Sequence, residues 1–266
     1  MMGENKYSSV VSPEELDFTR GWAAALTKST GSEKWKERLN TGLPFTFKYG
    51  ERCSCEFLND LQWDVVNGEW TDGKREHILS AVEPETKLKI SVELTEYSDF
   101  PAIEWLIRFT NEGNSDTPAI SDVSALDIYW KQEKVIPVLH RSRGSDERPD
   151  DFEYMSDEMR VLRSTARTIH MDSGAGAAHA PTKESKDGRS SVDWMPFFNL
   201  QSADNGLFMA IGWTGQWVVD FIHDGEGNTH IKGGMEYTNL KLHPGESIRT
   251  PRILAMYWQG ELIHGH

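Results

Sequence analysis

The stretch from Trp194 to Trp217 constrains this 266-residue chain more than any other. It reads WMPFFNLQSADNGLFMAIGWTGQW, dense in tryptophan, phenylalanine and glycine. Its apolar residues do not recur at helical spacing. Phe208, Ala210 and Gly212 alternate with Leu207, Met209 and Ile211, which is the two-residue period of a strand with two differently used faces.

The same period recurs upstream. Lys87 to Thr95 alternates Leu88, Ile90, Val92 and Leu94 with Lys89, Ser91 and Glu93. Ile103, Trp105, Ile107 and Phe109 repeat it, with Asn111–Asn114 as the following turn. Further strands are read at Pro44–Phe47, Leu58–Val66 and Glu76–Val82. Turn pairs punctuate them at Asn67-Gly68, Asp72-Gly73, Asp187-Gly188, Asp224-Gly225 and Pro244-Gly245. Helical signal is thin. Ser12-Pro13-Glu14-Glu15 carries N-cap, N1 and capping-box chemistry, but Gly21 interrupts the Leu16–Leu26 segment, so a short helix or irregular arm is expected there. Ser32–Leu39 offers one more helical turn. No internal repeat and no Gly/Ser linker is evident. The class is all-β, a large antiparallel sandwich with few short helices. Residues Arg141 to Gly176 depart from the pattern, being polar and charged, and read as a long loop with a functional or assembly role.

Ten Trp, 11 Phe and 7 Tyr within a 38% hydrophobic chain argue for a packed core. No apolar run reaches the ~18 residues of a membrane span. The start, MMGENKYSSVVSPEEL, has acidic residues and no apolar signal core, so the expected location is cytoplasmic. With 28 basic against 42 acidic residues the net charge is −14. Such a surface repels phosphate backbones, which disfavours nucleic acid. The charge says nothing for or against a neutral sugar.

Candidate chemistry is sparse. Cys53 and Cys55 would lie about 6.5–7 Å apart on one strand face, poor spacing for a disulfide, so both are expected to be ordinary thiols. Two cysteines cannot close a zinc site alone. Histidines 223 and 230 flank a turn, and no metal or other cofactor is expected. Asp150 and Asp151 are adjacent, so on an extended chain they face opposite ways and do not form the ~5 Å carboxylate pair of a retaining glycosidase. No catalytic residue is assigned. Gly188-Arg189-Ser190-Ser191 lacks a nucleophile elbow, and Gly174-Ala175-Gly176 lacks the strand and lysine of a phosphate loop. The aromatics remain. Trp213 and Trp217, four apart, share a face on a straight strand, with Gly212, Gly215 and Gln216 close by; they either stack on a sugar ring or pack a core or an interface.

Several ordered words resemble the N-terminal domain of family 36 glycoside hydrolases, the α-galactosidase-like enzymes. They are Phe100–Ile120 (FPAIEWLIRFTNEGNSDTPAI), His140–Ser145, Asp150-Asp151-Phe152, Arg189-Ser190-Ser191, Pro196-Phe197-Phe198, Ile211–Trp217, Gly234-Met235-Glu236, Leu242–Glu246 and Ile248–Ile253. They keep their order over residues 35 to 260.

The resemblance implies a two-layer β-supersandwich over 35–260, with an N-terminal arm at 1–34 and a tail at 261–266. In that family the domain precedes a (β/α)₈ barrel that carries both catalytic carboxylates. Only Gln259–His266 follow Trp258, too few for one βα unit, so the chain is expected not to cleave a glycoside unaided. The implied parent reaction is retaining hydrolysis of terminal α-galactosides, with a barrel as partner and homo-oligomeric contacts. By the same resemblance, Asp150, Asp151 and Arg189 border a sugar pocket completed by another barrel. A free-standing carbohydrate-binding module using Trp213, Trp217 and the Arg143–Phe152 loop is the alternative, and an assembly domain without ligand is the third reading. Exposure discriminates them: solvated, clustered Trp194, Trp213 and Trp217 favour binding, whereas a broad exposed apolar patch favours a missing partner domain.

Overall fold

The computed structural model describes residues 11–131, 135–145, 147–159, 165–170 (backbone), 190–192 and 194–265. In chain order it contains the helix α1 (Pro13–Leu26) and then β1 (Thr46–Tyr49), β2 (Arg52–Cys53), β3 (Asp64–Thr71), β4 (Lys74–Val82), β5 (Leu88–Tyr97), β6 (Ala102–Asn111), β7 (Ile120–Ser124), β8 (Leu126–Lys131) and β9 (Val138–Arg143). There follow β10 (Tyr154–Glu158), β11 (Thr165–His170), β12 (Trp194–Ser202), β13 (Asn205–Gly212), β14 (Trp217–His223), β15 (Asn228–Met235), β16 (Asn239–Leu240), β17 (Ser247–Arg249) and β18 (Arg252–Gln259). Short 3₁₀ turns span Lys34–Glu37, Ser54–Glu56 and Leu262–Gly265.

The strands form two layers. One is a large antiparallel sheet in the order β10-β9-β12-β13-β18-β6-β5-β4-β3, with β17 also paired to β6. The other is made of two four-stranded sheets, β11-β14-β15-β8 and β16-β7-β1-β2. Strand alternation decides the inner faces. Ile90 sits opposite Phe109, Val92 opposite Ile107 and Leu94 opposite Trp105, and all six are buried. Met209 opposes Ala255 and Ile211 opposes Ile253 in the same way. Across the layers Phe198 meets Trp217 and Phe221 edge-on at 5.7 and 5.5 Å, and Phe47 meets Phe109 at 4.8 Å. Trp105 donates its indole N–H to the Ala125 carbonyl at 2.8 Å, so even this fully buried ring leaves no polar atom unpaired.

The helix α1 runs unbroken through Gly21. Ser12 Oγ accepts from the Glu15 N–H and Glu15 Oε2 accepts from the Ser12 N–H, a complete capping box. Glu15 Oε1 also accepts from the Gln259 N–H at 2.7 Å, tying the helix start to the end of β18. Gly21 is a contact rather than a break: a Cβ there would lie 2.3 Å from the Ser32 carbonyl oxygen. Phe18 and Trp22 are buried, against Tyr257 and Trp105 respectively, and each such ring contributes about 1.5–3 kcal/mol.

Four expectations are corrected. Cys53 and Cys55 form a disulfide. Cys53 ends β2 and Cys55 lies in the next 3₁₀ turn, so their Cα atoms are 5.2 Å apart rather than at strand spacing. The expected loop from Arg141 contains β10 and β11 and takes in the end of β9. The β9–β10 pairing persists because Arg141 pairs with Asp157 at 3.0 Å and His140 bonds Gln201 and Tyr154, so charge is matched across an edge. The strand expected from Leu58 begins only at Asp64, and Asn67-Gly68 lies inside β3 at a register irregularity instead of at a turn. Asp187-Gly188 and Gly174–Gly176 lie outside the described residues.

Candidate functional site

The Arg143–Phe152 word forms the tip of the β9–β10 hairpin, at the end of the large sheet where β12 starts, β13 ends and β18 starts. Arg143 N–H donates to the Glu153 carbonyl at 2.9 Å and Phe152 N–H to the Gly144 carbonyl at 3.3 Å, which closes the loop. Asp151 is the internal brace: its Oδ2 accepts from Ser145 Oγ and from the Glu147 N–H, both at 3.1 Å. Asp150 instead forms an ion pair with Arg143 Nε at 2.9 Å. The neighbouring carboxylates thus engage different partners. Phe152 stands at the tip, 59% exposed and at φ +64°.

This hairpin docks on Ser190-Ser191. Ser145 N–H donates to the Ser191 carbonyl at 2.9 Å. Gly144 permits the approach, because a Cβ there would fall 1.7 Å from that same carbonyl oxygen. Trp217 reaches the adjacent residue from below, its indole N–H donating to the Ser190 carbonyl at 2.8 Å. The segment between Asp151 and Trp217 in space is therefore one hydrogen-bonded unit. Arg189 lies outside the described residues.

The three tryptophans are placed differently. Trp217 has no exposed surface and packs on Phe198. Trp194 is buried to 9% exposure beneath two guanidinium groups, Arg141 at 3.9 Å and Arg143 at 5.3 Å from the ring centroid. Trp213 is half-buried, with Arg249 5.7 Å away. Trp213 and Trp217 do not share a strand face: β13 ends at Gly212, a turn occupies 213–216, and Trp217 opens β14. Gly215 belongs to that turn, where a side chain would come 2.6 Å from the Trp213 indole nitrogen. The Arg141–Trp194–Arg143 stack was not legible as a unit. Its only signal was Arg-x-Arg on one strand, and pairing of β9 with β12 supplies the rest.

Burial pushes the Tyr154 phenol upward, beside its bond to His140. Among the described residues no group of three or more metal-ligating side chains converges, and no helix is long and apolar enough to cross a membrane.

No protein-family model matches the sequence, and no curated protein matches it. Solved structures do. An α-galactosidase of glycoside hydrolase family 36 from Geobacillus stearothermophilus superposes at TM-score 0.55 and 15% identity, over 85% of this chain and 30% of that one. The α-galactosidase from Lactobacillus brevis gives TM-score 0.59 at 13% identity, over 84% and 30%. The galactosidase domain of an α-galactosidase–sucrose kinase gives 0.57 at 15%, over 84% and 31%. The chain spans about 30% of the length of the enzymes it matches. At this identity the likeness is one of fold, and the chain has the all-β, two-layer antiparallel fold found in part of family 36 α-galactosidases.

Proposed function

We propose that this chain is a non-catalytic N-terminal β-sandwich domain of an α-galactosidase-like glycoside hydrolase. Its work is to support a (β/α)₈ barrel, to make oligomer contacts and to border the substrate cleft, while the carboxylates that hydrolyse terminal α-galactosides with retention lie on the barrel. The observation that carries this reading is the asymmetry of the matches, most of this chain against under a third of each enzyme. Within the domain, Asp150, Asp151 and Arg189 are the cleft-bordering candidates: Asp151 shapes a projecting hairpin that lifts Phe152 clear of the sheet. Trp213 keeps part of its ring accessible beside Arg249. Trp217 contributes indirectly, by holding the Ser190 carbonyl under that hairpin.

The carbohydrate-module reading needs aromatic faces in water, and burial of Trp194 and Trp217 weighs against it. Two measurements test the assignment. Fluorescence titration with galactose, melibiose and raffinose should give no saturable change below about 1 mM, the level of roughly −4 kcal/mol; saturation there would favour the module. For the enzyme assignment, Phe152 is replaced by photoreactive p-benzoylphenylalanine in the polypeptide expressed in its native cell. Irradiation should capture peptides of a (β/α)₈ barrel, joined to this chain or separate from it. Absence of barrel peptides would defeat the assignment.

A further inference from the structure

Where α1 ends, the chain surrounds a cleft of about 340 Å³, set between that helix, the 3₁₀ turn Lys34–Glu37, residues 41–43 and residues 58–63. Its floor is apolar: Trp35, Leu58 and Leu79 are buried there. Leu61 and Trp63 line it as well, both half-buried. Trp63 spends its indole N–H on the Leu58 carbonyl at 3.0 Å, so it offers a ligand ring surface rather than a hydrogen bond. Four polar side chains share the space: Lys28, Lys36, Thr41 and Asn59. None of the lining residues is acidic, in a chain with 42 acidic against 28 basic residues. Apolar walls with a few polar groups are the usual composition of a small-molecule site, and the two ammonium groups set the sign of the charge that fits it.

Lys28 carries the argument further. Ser29 N–H donates to the Ala24 carbonyl at 2.7 Å and Lys28 N–H to the Ala25 carbonyl at 3.3 Å, the bond pair of a Schellman motif at the end of α1. Lys28 is the left-handed residue of that motif, at φ +54°. Glycine adopts this conformation without steric cost and lysine does not. Nor does the ammonium turn back to the helix carbonyls. Its Nζ donates to the Trp63 carbonyl, 35 positions along the chain, at 3.4 Å, and so bridges the helix end and the 58–63 segment at the cleft. That bond uses one N–H of the ammonium and leaves others for a ligand. Lys36 pairs with Glu33, whose side chain is 77% exposed. Solvent weakens such a pair, so the Lys36 ammonium exchanges it readily for a ligand anion. A lysine kept where the backbone favours glycine, and reaching over a cleft, is the kind of local cost that function accounts for.

We propose that this cleft binds a small amphipathic anion, its apolar body on Trp35 and Trp63 and its carboxylate or phosphate head on Lys28 and Lys36. The inference stands independently of the glycosidase assignment.

The test is calorimetric titration of the 266-residue chain with octanoate, octyl phosphate and octanol. At least one of the two anions should bind with a Kd below about 1 mM, and octanol at least about tenfold more weakly. Lys28→Gly should weaken anion binding at least about tenfold without lowering the melting temperature, since glycine suits φ +54°. Lys36→Met should weaken it in the same direction. Lys34→Met, which removes a lysine paired with Asp17 outside the cleft lining, should leave the affinity unchanged. Tighter binding of octanoate assigns a carboxylate head, and tighter binding of octyl phosphate a phosphate head; either upholds the site. No saturation by either anion overturns the proposal. Equal binding of octanol also overturns it, because the cleft would then be merely apolar. An unchanged affinity in Lys28→Gly, or a loss in Lys34→Met equal to that in Lys28→Gly, overturns it too, the latter by exposing a general effect of net charge.

Discussion

Replacing Trp217 and Trp213 separately by alanine separates a core tryptophan from a surface one, although they stand four residues apart. Trp217 has no exposed surface, meets Phe198 edge-on and donates to the Ser190 carbonyl. Truncating a fully buried Trp costs about 3–5 kcal/mol, and the orphaned Ser190 carbonyl adds about 1 kcal/mol. Trp213 is half-buried, so its loss removes part of one ring's burial and a cation–π contact with Arg249 worth about 0.5–1 kcal/mol; the sum is about 1–2 kcal/mol. For a domain of this size each kcal/mol moves the melting temperature by about 2–4 °C. Trp217→Ala should therefore melt at least about 8 °C lower, and Trp213→Ala about 2–8 °C lower. Far-ultraviolet circular dichroism is the suitable readout, because removing a tryptophan alters the fluorescence baseline itself. Equal shifts, or a larger one for Trp213→Ala, would refute the burial argument and with it the role given to Trp217 beneath the hairpin.

Gly144→Ala places a methyl group against the Ser191 carbonyl, so the amide of Ser145 should exchange with deuterium at least about tenfold faster; unchanged protection would mean that the hairpin does not dock there. Denaturing thiol titration without reductant should find no free thiol and find two after reduction, from Cys53 and Cys55; two thiols at the outset would exclude the bridge. Asp127 is drawn upward by burial, but hydrogen bonds from His230 and Thr46 outweigh this and hold it below its ordinary value of 3.8. A depressed carboxylate stabilises the fold above its unfolded pKa and loses that contribution as pH falls through the folded value. Asp127→Asn should accordingly be less stable by about 1–2 kcal/mol at pH 7, with the gap closing below pH 3.8; a gap independent of pH would contradict the account of a carboxylate held down by its hydrogen bonds. His243 is raised above 6.5 by its hydrogen bond to Asp116 and by that carboxylate's charge, so its ring resonances should titrate above 6.5 and move down in Asp116→Asn.

Much of this architecture is written in local pattern. The alternation from Leu88 to Leu94 and from Ile103 to Phe109 names the inner faces of β5 and β6 residue by residue, because a strand's side chains have only two directions to take. Asp72-Gly73, both at positive φ, joins β3 to β4 at a tight hairpin. The capping box at Ser12 likewise needs no tertiary partner to be legible. The failures share a cause. Gly21 reads as a helix breaker until the Ser32 carbonyl is seen against it, and Asn67-Gly68 reads as a turn until Glu76 is seen across the ladder. Cys-x-Cys reads as two thiols on a strand until the chain turns between them. In each case the decisive neighbour is distant in sequence or depends on a change of backbone course.

The candidate site divides along the same line. Sequence alone determined the strand class, the acidic net charge, and the ordered words that resemble a family 36 N-terminal domain. These depend on composition and on periods of two residues, which are local properties of a chain. Only the tertiary structure decided that Trp217 is core while Trp213 is half-exposed, since burial is settled by the sheet that lies opposite. It alone brought Asp151, Ser191 and Trp217 into one bonded unit. It also gathered Tyr97, Phe100, Phe197, Phe208 and Met256, scattered over 160 positions, into one outward apolar strip. A surface of that kind has no sequence period, because the order of strands in the sheet, and not their order along the chain, puts its residues side by side.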